Sequence, residues 1–106
     1  MAWILLFIAG VLEIVWAFFM KQSDGFTKIL PTILTLAAAA ASFALLSVSM
    51  KTLPLGTAYV VWTGVGAVGA FVIGIAVLGE QASIMRIAAG SLIVVGLVMM
   101  KLSTPD

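Results

Sequence analysis

The feature that most constrains this chain is an apolar run at residues 3–20, which a single carboxylate, Glu13, interrupts. At about 1.5 Å per residue, an α-helix over this run is long enough to cross a bilayer core about 30 Å thick, with Glu13 near its middle. An ionised side chain at that depth costs at least about 2.5–3.5 kcal/mol, so such residues face a bundle interior or a wet cavity. The run therefore predicts a membrane helix that carries a functional acid.

Three further apolar segments follow, at residues 29–50, 55–78 and 84–100, with short polar connections between them. Of the 106 residues, 64% are hydrophobic and 8% are charged, whereas about a quarter are charged in a typical soluble domain. Lipid offers no hydrogen bonds to the backbone, so these segments must be helices. We expect an all-α membrane protein in which residues 1–106 form a single four-helix transmembrane domain.

The composition also excludes several kinds of function. The chain has no Cys and no His, so disulfides, thiol chemistry and thiolate metal sites are excluded. No nucleophile–base pair, metal cluster or cofactor motif can be assembled from the remaining residues, and we expect neither an enzyme nor a bound cofactor or metal. The net charge of +1 is spread without a basic patch, which argues against nucleic acid as a partner.

The neighbours of Glu13 on its helix face form the pattern of a lined pocket. Residues three and four apart share a face, and for Glu13 these are Ala9, Gly10, Trp16 and Ala17. The small residues leave room beside the carboxyl group. The indole of Trp16 adds a flat ring and an N–H donor.

Aromatic and hydroxyl side chains on the next two segments extend this pattern. Tyr59 and Trp62 share a face of the third segment, and flat rings beside a carboxylate suit a planar cation through stacking and cation–π contacts. For Tyr59 an interfacial aromatic belt explains the position equally well. Ser42, on the second segment, either permits close helix packing or orients the carboxylate.

The third segment is also rich in small residues. Gly66, Ala70 and Gly74 recur every four residues, which favours close approach of another helix. Gly64 and Gly66 together weaken the helix locally and can introduce a kink. We expect packing to be their main role, with a hinge for alternating access as a further hypothesis.

The distribution of basic residues gives almost no signal for orientation in the membrane. One side of a four-helix bundle would carry Lys21, Lys28 and Arg86, and the other Lys51, Lys101 and the terminal amine, whereas a Lys/Arg excess normally sets orientation. Either another feature orients the chain, or it inserts both ways and two copies pair antiparallel. Four helices are too few to enclose a central cavity well, and a homodimer would place two copies of the central acid in one chamber.

The chain resembles the small multidrug resistance family over essentially its whole length. The resemblance is carried by residues 10–17 (GVLEIVWA), 21–28 (KQSDGFTK) and 54–66 (PLGTAYVVWTGVG), and by the closing Met100–Ser103. Trp16 after the central acid, with Ser42 and the sequence at 62–64, is similar to the guanidinium-exporter branch of that family.

The resemblance implies a multi-pass protein of the bacterial inner membrane that forms an antiparallel, dual-topology homodimer and exchanges protons for a cationic substrate. It implies that Glu13 binds both, and that the site is lined or oriented by Trp16, Ser42, Tyr59 and Trp62. It further implies dimerisation through the fourth helix, here at Ala89, Gly90, Ile93 and Gly96.

These observations predict proton-coupled antiport of guanidinium-type cations, in which proton and substrate compete for one carboxylate. A guanidinium ion matches an ionised carboxylate through its planar fork of N–H groups. Three alternatives stay open: export of quaternary ammonium drugs, one half of a heterodimeric transporter, and a non-transporting membrane subunit.

Overall fold

Four α-helices make up the protein, as described by a computed structural model over residues 1–103. The last three residues of the predicted domain lie outside that range. The helices are α1 (Ala2–Gln22), α2 (Ile29–Ser49), α3 (Leu55–Ala76) and α4 (Ile84–Ser103). Each is long and apolar enough to cross a membrane, with a mean hydropathy between 1.8 and 2.3. The predicted all-α class with four membrane-spanning helices is confirmed.

The helix ends follow local sequence signals. Pro31 lies in the first turn of α2 and Pro54 immediately precedes α3, where the missing N–H costs no helical hydrogen bond. The third helix ends at Ala76, two residues before the predicted end. Gly79 explains this difference, because its φ of 73° directs the chain back so that the N–H of Glu80 donates to the carbonyl of Gly74 at 2.9 Å.

The first helix is the centre of the arrangement, since α2 and α3 both pack along it, whereas the backbone of α4 approaches only α3. The Cα atoms occupy a slab of 42 × 34 × 16 Å. No residue of α4 is buried. A single chain is therefore a thin layer of helices with large apolar faces left open.

The buried core lies where α1, α2 and the first half of α3 meet. Its side chains are mostly small or medium in size, and Trp62 is the one large ring among them: Leu6, Ala9, Leu46, Leu53, Ala58, Val61 and Trp62. The serines buried beside this core bond to backbone carbonyls rather than lie unpaired, as when Ser49 Oγ donates to Leu45 at 2.9 Å. This core fixes the position of α1 against its two neighbours at Leu6 and Ala9, one to two turns before the central acid.

Candidate functional site

Glu13 lies at the contact between α1 and α3, opposite Gly66. A Cβ atom built at Gly66 would coincide with the carboxyl group of Glu13, so the absence of a side chain at 66 makes the notch that holds the acid. One carboxyl oxygen, Oε1, is buried and has no hydrogen-bond partner among the described residues. A buried acceptor left unsatisfied costs about 1–3 kcal/mol, which a ligand with N–H donors or a proton would offset.

Trp16 lies one turn further along the same face of α1. Its indole Nε1 is likewise buried without a hydrogen-bond partner in the described part of the chain. The same is true of Trp3 Nε1, but Trp3 lies at the start of the helix, where its ring is 4.7 Å from the ammonium of Lys101. Glu13 and Trp16 thus place an unpaired acceptor and an unpaired donor within one turn of each other.

Ser42 links the three helices around the acid without touching it. Its Oγ donates to the carbonyl oxygen of Ala9 at 2.7 Å and accepts a hydrogen bond from Trp62 Nε1 at 3.0 Å. In a continuous α-helix the Ala9 carbonyl is also the acceptor for the backbone N–H of Glu13. The single hydroxyl proton is therefore used to support the backbone turn that carries Glu13, and it is not available to the carboxylate in this conformation.

Aromatic rings form a row that runs from Trp16 across α2 to α3. The ring centroids are 6.3 Å apart for Trp16 and Phe43, 5.6 Å for Phe43 and Trp62, and 5.6 Å for Trp62 and Tyr59. Trp62 is only 6% exposed, whereas Tyr59 and Phe43 are each about half exposed. The structure thus brings together the three rings singled out from the sequence. Tyr59 belongs to this row, where it contacts Trp62.

Phe43 joins this row although sequence reasoning missed it. It is the only aromatic residue of α2 and it directly follows Ser42, which was the available signal. Because the two residues are consecutive, they point to different sides of the helix, and helical spacing alone did not place Phe43 beside Trp16.

The small residues of α3 have different neighbours. Gly66 faces Glu13 of α1, and a Cβ at Gly64 would lie 2.5 Å from Leu97 of α4. Gly74 does not face another helix, because a Cβ there would meet the carboxyl group of Glu80 in the following loop. Ala70 lines a small cavity between α1 and α3. The helix runs unbroken from Leu55 to Ala76, so the hinge remains a prediction.

The predicted dimer residues lie on an open part of α4. Ala89, Gly90 and Ile93 line a shallow groove beside Phe71, and a Cβ at Gly96 would meet no atom within 4 Å. Within residues 1–103 no group of three or more acidic side chains converges in a way that could hold a metal ion. What the site offers is one buried carboxyl group, with the row of rings beginning at Trp16, one turn along the same helix.

Comparison with known proteins identifies close relatives. The family model described as Small Multidrug Resistance protein matches residues 1–93. Proteins named guanidinium exporter from Citrobacter freundii and Salmonella typhimurium are each 56% identical over 104 residues, which is 98% of this chain and 99% of theirs. One of the same name from Escherichia coli K12 is 54% identical with the same coverage.

Proposed function

Since this chain belongs to the Small Multidrug Resistance family, we propose that it exports guanidinium in exchange for protons, with Glu13 as the shared site. The chain is a multi-pass protein of the inner membrane. Its relatives are named as exporters, so the prediction that it is not an enzyme is confirmed. Near-complete coverage of proteins named for guanidinium export supports guanidinium as the substrate.

The observation that carries the proposal is the buried Oε1 of Glu13 in the middle of a membrane helix, which has no hydrogen-bond partner within residues 1–103. An ionised carboxylate there needs a positive partner. Guanidinium supplies one as a flat cation whose N–H groups fit the two carboxyl oxygens. The ring of Trp16 offers the stacking surface that such a cation favours.

Competition for one carboxylate couples the two fluxes. When Glu13 is protonated it is neutral and has no charge with which to hold a cation. When it is ionised it attracts either guanidinium or a proton, but it cannot keep both. A protein that opens this site alternately to the two sides of the membrane then moves one substrate outward for protons that move inward.

We further propose that the working unit is an antiparallel homodimer. A slab whose Cα atoms span only 16 Å in its thinnest direction is too thin to enclose a central chamber by itself. No residue of α4 is buried within the chain, and its open positions Ala89, Gly90, Ile93 and Gly96 suit contact with a second copy. Two copies would close the row of rings over a common chamber.

The remaining site residues have supporting roles in this proposal. Trp62 and Tyr59 continue the aromatic wall from Trp16, and Ser42 holds the wall to α1 through its bonds to Trp62 and Ala9. Gly64 and Gly66 provide the point at which α3 could bend as the site changes sides.

Purified protein in liposomes tests the transport proposal. An outward guanidinium gradient should drive proton uptake by wild-type liposomes, and Glu13→Gln should abolish it while keeping the side-chain volume. Asp24→Asn is the matched control, because Asp24 is an exposed loop carboxylate and its variant should transport normally. Guanidinium-driven proton movement that persists in Glu13→Gln would refute the assignment.

Access of a membrane-impermeant reagent to a terminal tag tests the dimer proposal. The antiparallel arrangement predicts that some of the tags are labelled in intact spheroplasts and that the rest are labelled only after the membrane is permeabilised. Labelling from one side only, with full transport activity, would contradict it and would favour a single orientation.

A further inference from the structure

A cavity opens between α1 and α3 on the loop side of Glu13. One turn beyond the contact of Glu13 with Gly66, small side chains face each other at Ala17 and Ala70, and the space there is about 130 Å³. A water molecule's share of liquid volume is about 30 Å³, so the cavity has room for a small ion. Its lining also includes two charged residues at the loop end, Lys21 and Glu80.

Glu80 is held at this cavity by the turn that ends α3. Its backbone N–H donates to the carbonyl of Gly74 at 2.9 Å, and its carboxyl group lies over the same glycine, where a Cβ atom would approach Oε1 to 2.5 Å. The side chain is 43% exposed. Glu80 therefore presents a carboxylate both to water and to the cavity between α1 and α3.

A guanidinium group already accompanies this carboxylate. Arg86 Nη2 lies 3.7 Å from Glu80 Oε1, and the guanidinium carbon of Arg86 lies 5.7 Å from the centroid of the Phe71 ring. Because the pair is exposed and its contact is long, it is weak. A free guanidinium ion can replace Arg86 with little loss, since one planar cation takes the place of another.

We propose that Glu80 is a transit site for guanidinium-type cations between water and Glu13, occupied when the substrate displaces the side chain of Arg86. The inference rests on the proposed function and adds a second carboxylate to the substrate's path. Charge supports it, because Glu80 is the acidic residue in the described lining of the cavity, and without it the remaining charged lining residue, Lys21, would repel an approaching guanidinium ion.

Two substitutions at this pair should have opposite effects on transport. In liposomes at guanidinium concentrations well below KM, Glu80→Gln should lower the initial rate about three- to fivefold, the upper part of the range of an exposed charge contact. Arg86→Gln should raise it, because it removes the competing cation and leaves the carboxylate. If the ion pair only stabilised the loop conformation, both variants would shift the transport rate in the same direction, and that result would overturn the proposal.

Two control variants separate direct contact between guanidinium and the Glu80 carboxylate from a long-range effect of its charge. Glu80→Asp keeps the charge but withdraws the carboxylate by one methylene. If guanidinium contacts this carboxylate, the transport rate should fall. If Glu80 acts only through its long-range field, the transport rate should stay at the wild-type value. Asp24→Asn removes a carboxylate from the other loop on the same side and should leave the rate unchanged. A wild-type rate in Glu80→Asp would overturn the contact site.

Failure of the transit site at Glu80 can be distinguished from failure of the proposed transport function. Equilibrium binding of guanidinium to the purified variants reports on Glu13, and Glu80→Gln should leave the dissociation constant within about twofold of wild type, since an exposed charge contributes little to a buried site. Absence of guanidinium transport by the wild-type protein would refute the proposed function. Transport by Glu80→Gln at the wild-type rate would refute the transit site alone.

Discussion

Adding one methyl group at Gly66 should displace the central carboxylate. In Gly66→Ala the new Cβ would coincide with the carboxyl oxygen of Glu13 and lie 2.8 Å from its Cγ. Either α3 moves away from α1 or the Glu13 side chain leaves its notch. Since α1 and α3 are in close contact on both sides of this position, at Gly10 with Val65 and at Ile14 with Gly69, we expect the side chain to move.

The size of the effect follows from the overlap. Forcing a methyl group into a packed site costs about 1–3 kcal/mol, and tenfold in affinity corresponds to about 1.4 kcal/mol. If that cost falls on the binding conformation of Glu13, guanidinium should bind about five- to 150-fold more weakly in Gly66→Ala. Isothermal titration of guanidinium into the purified protein in lipid nanodiscs measures this directly.

Gly69→Ala is the matched control on the same helix. Its methyl group would overlap the end of the Ile14 side chain instead of a carboxyl group, so it disturbs the same helix contact without touching Glu13. We expect a comparable loss of thermal stability in both variants but a loss of guanidinium affinity in Gly66→Ala alone. Equal guanidinium affinities in Gly66→Ala and wild type, or equal losses of affinity in Gly66→Ala and Gly69→Ala, would show that Gly66 does not hold Glu13 in its binding position.

Three further predictions concern the surroundings of Glu13. Ser42→Ala leaves the buried indole N–H of Trp62 unpaired and should lower the free energy of unfolding by about 1–3 kcal/mol, measured with denaturant. Ser47→Ala, on the exposed side of α2, should leave it unchanged. Equal unfolding curves for Ser42→Ala and wild type would contradict this prediction. Guanidinium binding should weaken as the pH falls, because protons compete for the carboxylate, and a pH-independent affinity would exclude that competition. Trp16→Ala should raise the affinity for tetraalkylammonium relative to guanidinium, and an unchanged ratio would show that this ring does not restrict the site.

The sequence was sufficient for the fold class and the family, both of which are confirmed. Long apolar runs leave a chain few alternatives in a bilayer, since the backbone must satisfy its own hydrogen bonds there. The importance of Glu13 follows from the same reasoning, because a charge amid so many apolar residues demands an explanation. The fold class and the prediction for Glu13 depend only on local composition and on the depth of each residue along its own helix, whereas the family depends on the motifs at residues 10–17, 21–28 and 54–66.

Contacts between helices could not be predicted from the sequence in the same way. That Gly66 rather than Gly64 faces Glu13 depends on the rotation of α3 about its axis, which helical periodicity leaves undetermined when all faces are apolar. The use of the Ser42 hydroxyl by Ala9 depends likewise on how α2 lies against α1.

The loop after α3 shows a similar limit. Glu80 reads as a solvated loop residue in the sequence, and only the backward turn at Gly79 brings its carboxylate over Gly74 and into the lining of the cavity. A positive φ at one glycine decided this placement. Helical periodicity in the sequence does not predict the position of this loop carboxylate.

The release of protons on addition of guanidinium tests most directly whether one carboxylate holds either a proton or a cation. The experiment follows the pH of a weakly buffered solution of the purified protein in nanodiscs, at a series of starting pH values, for wild type and for Glu13→Gln. We expect wild type to release protons as guanidinium binds, with the release fading at alkaline pH, and Glu13→Gln to release none. Guanidinium binding to wild type without proton release at any starting pH, or equal release from Glu13→Gln, would contradict it.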